Sequence, residues 1–361
     1  MTRIAAVAPV VPPHRYPQAQ ITDAFARLVL APGAPRAVLD RVHAATQVRT
    51  RHLSMPLERY GELTGFAQFN DAFIASAVEL GGRAVREALA AAGLDARDVD
   101  VILSTSVTGI AAPSIDARLM PVLGLRADVK RIPVFGLGCV AGAAGLARLH
   151  DYLLGHPDEV AVLLSVEMCS LTVQRDDASM PNLVSCGLFG DGAAAVVLVG
   201  ERRARAMGID GRGTDPGLPE VVASRSRFYP DTERVMGWDI GGSGFRIVLA
   251  ASVADVVEAH LADDVRGFLE SFELKIADIE RWVAHPGGPK VLEAMQRALD
   301  LPEGALDVTW RSLSAVGNLS SASVLHVLAE TMRGPRPEPG TPGMLMALGP
   351  GFCAELVLLR W

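Results

Sequence analysis

Cys139, His285 and Asn318 are the residues of this 361-residue chain whose types and settings could do chemistry together. Cys139 follows an apolar run and the turn Gly136-Leu137-Gly138, and an Ala/Leu/Gly-rich stretch follows it, so residues 134–149 read as strand, sharp turn and helix. The turn glycines bend the backbone and leave space beside the sulfur. A cysteine at a helix N-terminus meets unpaired N–H groups that favour its thiolate. The plainer reading is a small, buried core cysteine. His285 is delivered by Trp282-Val283-Ala284 and is followed by Pro286-Gly287-Gly288; alone it reads equally well as a satisfied structural histidine. Asn318 follows Gly317 and precedes an apolar helix, where an N-cap is the simplest role. Taken together the three suggest acyl transfer. An imidazolium stabilises a thiolate, the thiolate accepts an acyl group, and a carboxamide supplies N–H donors for an oxyanion or enolate.

The elements that must position them alternate between strands and helices. Strands are expected over residues 4–11, 99–104, 160–166, 282–284, 344–348 and 354–359, the central ones of the fully buried kind. Helices are expected over 22–30 (with Thr22 or Asp23 near the cap), 36–45, 71–92, 114–123, 254–270, 289–299 and 319–332. Residues 105–113, 176–182 and 334–343 read as loops. The glycines of 188–198 lead into a strand with no Lys-Ser/Thr after them, which argues against a phosphate loop. Gly138-Cys139 opens a helix in the first half and Gly317-Asn318 opens one in the second. That echo suggests two related α/β halves with helices between and outside two sheets, the boundary falling in the charged stretch 201–205, giving halves of 1–205 and 206–361. Sites in such folds form at strand ends.

Half the residues are hydrophobic and 21% are charged, as in a globular protein with a large core. A net charge of −7 argues against a dedicated nucleic-acid binder. The basic segment holding Arg41, Arg49, Arg51 and His52 is either solvated surface or a clamp for phosphate groups. Cys139, Cys169, Cys186 and Cys353 show no metal-like pairing with histidine, so no metal is expected. The apolar run at the N-terminus is short and proline-rich, which fits a first strand rather than a signal or membrane span; a cytoplasmic protein is expected.

In combination, GLGCVAGAAGLARL around Cys139, LFGDGAAAVVLVG from Leu188, WVAHPGGPKVL around His285, VGNLSSASVL around Asn318 and ALGPGFCAELVL near the C-terminus resemble the bacterial type III polyketide synthases of the chalcone synthase superfamily. The resemblance covers nearly the whole chain and implies a thiolase-like layered αβαβα fold made of two related halves. It implies that Cys139 carries the acyl chain while His285 and Asn318 drive malonyl decarboxylation and hold the enolate. Phe189 and Phe245 match two aromatic gatekeepers between a CoA tunnel and the cavity, and Arg41 matches a contact to CoA phosphates. Gly349, Pro350 and Gly351 match a loop that scaffolds the cavity, although Ala347-Leu348 replaces the Gly-Phe that precedes it in the family. Ser320 matches a cavity position. Val107, Cys169 and Met236 stand where plant chalcone synthases have Thr, Thr and Gly, and Ala112 stands where they extend a large side chain across the dimer interface.

The activity so implied is repeated decarboxylative condensation of malonyl-CoA onto an acyl-CoA starter by a homodimer. The CoA thioesters are substrates, and neither metal nor bound cofactor is needed. The expected product is an alkylpyrone or alkylresorcinol from a fatty acyl starter, with tetrahydroxynaphthalene from malonyl-CoA alone as the alternative. A ketoacyl-acyl-carrier-protein synthase III has the same fold and residue types, but its histidine usually stands in a His-Gln-Ala-Asn context. A Cys–His–Asn hydrolase would use the same chemistry with water as acceptor.

Overall fold

The computed structural model describes residues 1–211 and 217–361. Strand β1 (Thr2–Val10) ends at Pro12-Pro13, where backbone donors are lacking. A short hairpin of β2 (His14–Pro17) and β3 (Thr50–Leu53) brackets helices α1 (Gln18–Val29) and α2 (Ala37–Ala45). Next come α3 (Gly65–Ala92), β4 (Val101–Thr105), α4 (Ile115–Leu123) and β5 (Lys130–Val134). The first half continues through α5 (Ala141–Gly155), β6 (Val160–Met168), α6 (Met180–Leu188), β7 (Asp191–Gly200) and α7 (Glu201–Ala206). The second half begins with β8 (Glu220–Phe228), β9 (Met236–Gly241), β10 (Gly244–Leu249) and α8 (Val253–Glu270). It ends with β11 (Arg281–Ala284), α9 (Pro289–Ala298), α10 (Asp307–Val316), α11 (Ser323–Arg333), β12 (Pro342–Gly349) and β13 (Cys353–Arg360).

Among the described residues, nine strands join in one sheet in the order β11-β12-β13-β8-β1-β7-β6-β4-β5. Strands β4, β6 and β7 are buried along their whole length, so both faces of each must be apolar or bonded inside. The two halves meet where β1 pairs with β8 through only two residue pairs, Thr2↔Val221 and Arg3↔Glu220. Helices α5 and α11 lie between the two wings of the sheet, each touching strands of both. Three cores result. One lies under α3 and α4, one under α8 and α9, and the central one gathers Leu146 and Ala147 of α5 with Val324 and Leu328 of α11. That is the layered αβαβα arrangement, except that the sheets expected as two are continuous through the narrow β1–β8 seam.

The echo between halves is physical. Cys139 lies in a one-turn 3₁₀ segment, Gly138–Val140, that runs into α5. Asn318 lies two residues before the corresponding pair, the 3₁₀ turn Ser320–Ala322 and α11. Several expectations shift. Helix α1 starts at Gln18, so Thr22 lies inside it and donates to the Gln18 carbonyl at 2.9 Å rather than capping. Helix α3 begins six residues before the expected 71. The tail of the 176–182 loop is the start of α6, with proline in its first turn. Helix α7 spans the expected boundary after Arg205. No helix among the described residues is long and apolar enough to cross a membrane.

Candidate active site

Cys139, His285 and Asn318 line one cavity. Each reaches it from the end of a buried element: the turn before α5, the end of β11, and the turn after α10. The glycines beside them serve different needs. Gly138 has φ +58° and lies against the Pro350 ring, where an added Cβ would be 2.5 Å from Cδ. Gly317 has φ +77° and leaves room for the Leu188 carbonyl.

The carboxamide of Asn318 is locked. Its Oδ1 accepts from the Ser320 backbone N–H at 2.8 Å and from the Ser323 hydroxyl at 3.3 Å. Its Nδ2 is turned toward the Gly287 carbonyl at a loose 3.5 Å. The oxygen is thus occupied, and the NH2 group remains as a donor for negative charge in the cavity. This Asx-type turn also accounts for Ser320 standing at φ +50°. The Ser320 hydroxyl lies 3.5 Å from the Cys139 sulfur.

Burial pushes the Cys139 thiol up to about 12; the Ser320 hydroxyl opposes that rise and the buried Glu167 adds to it. Burial brings the His285 imidazole down to about 3, and its Nδ1 has no hydrogen-bond partner among the described residues. Both directions favour a thiol and a neutral imidazole, against the pull of the helix N-terminus toward a thiolate. Removal from water outweighs one turn of 3₁₀ helix. A neutral imidazole can still take the thiol proton as the sulfur attacks. Alkylation of Cys139 by iodoacetamide, followed by intact mass, should therefore rise about tenfold per pH unit from 6 to 9. A flat profile across that range would reveal a preformed ion pair.

The rest of the wall is apolar. Phe189, Met236 and Leu348 line it, together with Leu188, Leu249, Val253, Val291 and Phe352, which the sequence did not single out. Met236 and Leu249 are register partners at the open end of the β9–β10 hairpin, so they arrive together. Only Phe352 carried a signal, as the residue after the Gly-Pro-Gly loop. That loop supports the nucleophile: a Cβ on Gly349 would stand 3.0 Å from the Val140 nitrogen and 3.3 Å from that of Cys139.

Other candidates fall elsewhere. Phe245 does not share the cavity with Phe189. The hairpin turn carries it into an aromatic cluster, with ring centroids 5.6 Å from Phe66 and 6.0 Å from Trp238, beside a neighbouring cavity lined by Thr108 and Leu171. Val107 and Cys169 are buried but do not line the catalytic cavity. The Val107 N–H donates to Glu167 at 3.0 Å, and Cys169 is close enough to Cys139 for their charges to interact. Glu167 was missed altogether: it is fully buried and accepts from Ser106, Val107, Thr108 and Ser321. Arg41 is exposed on α2, Arg49 binds Ser314 Oγ at 2.8 Å, and Arg51 is wholly buried.

Comparison with known proteins follows this geometry. The family model for the N-terminal domain of chalcone and stilbene synthases matches residues 1–202, and that for the C-terminal domain matches residues 220–361. The chain is 58% identical over 360 residues to a 1,3,6,8-tetrahydroxynaphthalene synthase of Streptomyces peucetius, covering 100% of this chain and 93% of the relative. It is 31% identical over 350 residues to a phloroglucinol synthase of Pseudomonas fluorescens, covering 97% and 96%. Among solved structures, the tetrahydroxynaphthalene synthase of Streptomyces coelicolor superposes with a TM-score of 0.89 at 30% identity, with 99% of each chain covered. PKS-I of the brown alga Ectocarpus siliculosus gives 0.90 at 26% identity, covering 99% of this chain and 98% of that one.

Proposed function

The chain belongs to the chalcone and stilbene synthase family as a type III polyketide synthase, and on that premise we propose that it makes 1,3,6,8-tetrahydroxynaphthalene from malonyl-CoA alone. The observation that carries this reading is the 58% identity along 360 residues to a synthase of that product. The carbon count closes. Five malonyl-CoA give one tetrahydroxynaphthalene, five CO2, five CoA and one water.

Cys139 takes the first acyl group from CoA, its proton passing to His285. A further malonyl-CoA loses CO2, and the enolate oxygen is held by His285 and the Asn318 NH2 group. The enolate carbon attacks the Cys139 thioester and expels the thiolate, and the lengthened chain returns to the sulfur for the next round. The apolar wall keeps water from the thioester and folds the chain for ring closure. No metal or bound organic cofactor enters this scheme. Four free cysteines suit a reducing, cytoplasmic setting.

A second copy of the chain completes the assembly. Strand β5 is the sheet edge and is exposed along most of its length, with Ile132, Phe135 and nearby Ile110 presenting apolar surface. Such an edge invites pairing with another strand.

Purified enzyme given malonyl-CoA alone should yield the naphthalenetetrol by mass spectrometry and sediment as a dimer. Products that appear only with a fatty acyl-CoA, and carry its chain, would replace this reading with the pyrone or resorcinol one. Free acid alone would mark a hydrolase, and a monomer in sedimentation would remove the edge-pairing argument.

A further inference from the structure

The sequence offers Arg51 as part of a phosphate clamp, and the structure removes it from solvent entirely. It lies on β3 opposite Tyr16 of β2. Its Nη1 donates to the Phe189 carbonyl and its Nη2 to the Cys186 carbonyl, both at 2.6 Å, while Nε donates to Gln18 Oε1 at 3.0 Å. Gln18 in turn donates to the Gly187 carbonyl at 2.7 Å. The guanidinium and its amide partner therefore collect three carbonyls at the C-terminal end of α6, the end where helix carbonyls lack partners and positive charge is favoured. No carboxylate pairs with Arg51 among the described residues; the buried Asp191 supports its charge only at longer range. A cation buried without an ion pair is costly to keep, which calls for a reason beyond packing.

What it holds suggests that reason. Phe189 forms a parallel bridge with Asn318. The Asn318 N–H donates to the Leu188 carbonyl and the Gly190 N–H donates to the Asn318 carbonyl, both at 2.9 Å. The aliphatic part of Arg51 fills the space behind this bridge: a Cβ on Gly317 would stand 3.2 Å from Arg51 Cδ. The backbone of Cys139 is held by other contacts, on the turn before α5 over the Gly349-Pro350 loop, and its sulfur meets this assembly through the Ser320 hydroxyl at 3.5 Å.

We propose that Arg51 is a positioning residue for condensation. By gripping the carbonyls of Cys186 and Phe189 it fixes the bridge on which Phe189 and Asn318 stand. It thereby aligns the Asn318 carboxamide with the enolate while leaving acylation of Cys139 untouched. This inference rests on the condensing role proposed above.

The test separates the two half-reactions in Arg51→Lys, which keeps the charge but loses the fork, and in Gln18→Ala, which removes a half-buried supporter. Acylation of Cys139 is followed by intact mass, and malonyl-CoA decarboxylation by released CO2. Arg51→Lys should acylate within about threefold of wild type while decarboxylation and product formation fall about 100-fold, the scale of a small misplacement of a reacting group. Gln18→Ala should move the same ratio by about 3- to 10-fold. Equal losses in both half-reactions, or wild-type condensation in Arg51→Lys, would overturn the proposal. If Arg51→Lys does not fold, an unchanged ratio in Gln18→Ala overturns it instead. Failure of the condensing role itself would show first in the wild-type enzyme, as thioester hydrolysis without product.

Discussion

Cys139→Ala will release no polyketide, a fall of about 10⁴-fold or more, yet will still decarboxylate malonyl-CoA to acetyl-CoA within about tenfold of wild type. The first half follows from placement. Cys139 is the thiol that lines the cavity with His285 and Asn318, and no other cysteine does so. Cys169 is near but faces elsewhere, and burial raises its thiol well above the usual range. Cys353 donates to the Pro350 carbonyl at 3.0 Å and is likewise pushed up to about 12. The second half follows from the locked carboxamide: the Asn318 NH2 group is oriented by Ser320 and Ser323, not by the sulfur. The measurement is mass spectrometry of acetyl-CoA and polyketide from one reaction. If both products vanish together, the enolate site depends on the sulfur and the division of labour drawn here is wrong.

Gly142→Ala should cost about 3–4 kcal/mol of stability and lower the melting temperature by about 4–5 °C, with activity falling further than the unfolded fraction explains. A Cβ there would lie 2.3 Å from the Ser321 carbonyl oxygen and 2.9 Å from Val324 Cγ1. The oxygen belongs to the 3₁₀ turn after Asn318, so relief requires moving α5 away from that turn and Cys139 away from the carboxamide. Two neighbours serve as controls. At Gly145 the obstacle is the Leu163 side chain, at 2.4 Å, which can rotate, so Gly145→Ala should cost only about 1–2 kcal/mol. At Gly155 nothing lies within 4 Å, and alanine should be neutral or slightly stabilising. Thermal unfolding of the three variants checks the order; a Gly142→Ala protein as stable as Gly155→Ala would refute it.

The three cavity residues were legible because each stands at a turn with glycine next to it or two residues on, a local signal. The buried central strands were legible for the same reason, as continuous apolar runs. What escaped was set by distant contacts. Helix α10 (DVTWRSLSAV) carries a mixed pattern that resolves only against α11, β3 and β11. Arg51 looked like its surface neighbours because its carbonyl partners lie more than 130 residues away. Burial of the Cys139 thiol escaped likewise, since a helix terminus is local and burial is not. Phe245 shows the limit of matching by position. Its place along the chain fits a gatekeeper, but the hairpin turn decides which cavity it meets.

The narrow seam between β1 and β8 has a consequence for synthesis. As the chain leaves the ribosome, β1 emerges first and must wait more than two hundred residues for β8, leaving one edge of a growing sheet open. The inner face of α5 waits longer still, because β12 and β13, which cover part of it, come last. The loop beneath Cys139 joins those two strands. The nascent chain therefore carries an uncovered apolar layer and an unsupported Cys139 turn until β12 and β13 have been made. A message truncated before β12 would yield an aggregation-prone product, and a holding chaperone would find its binding surface on α5.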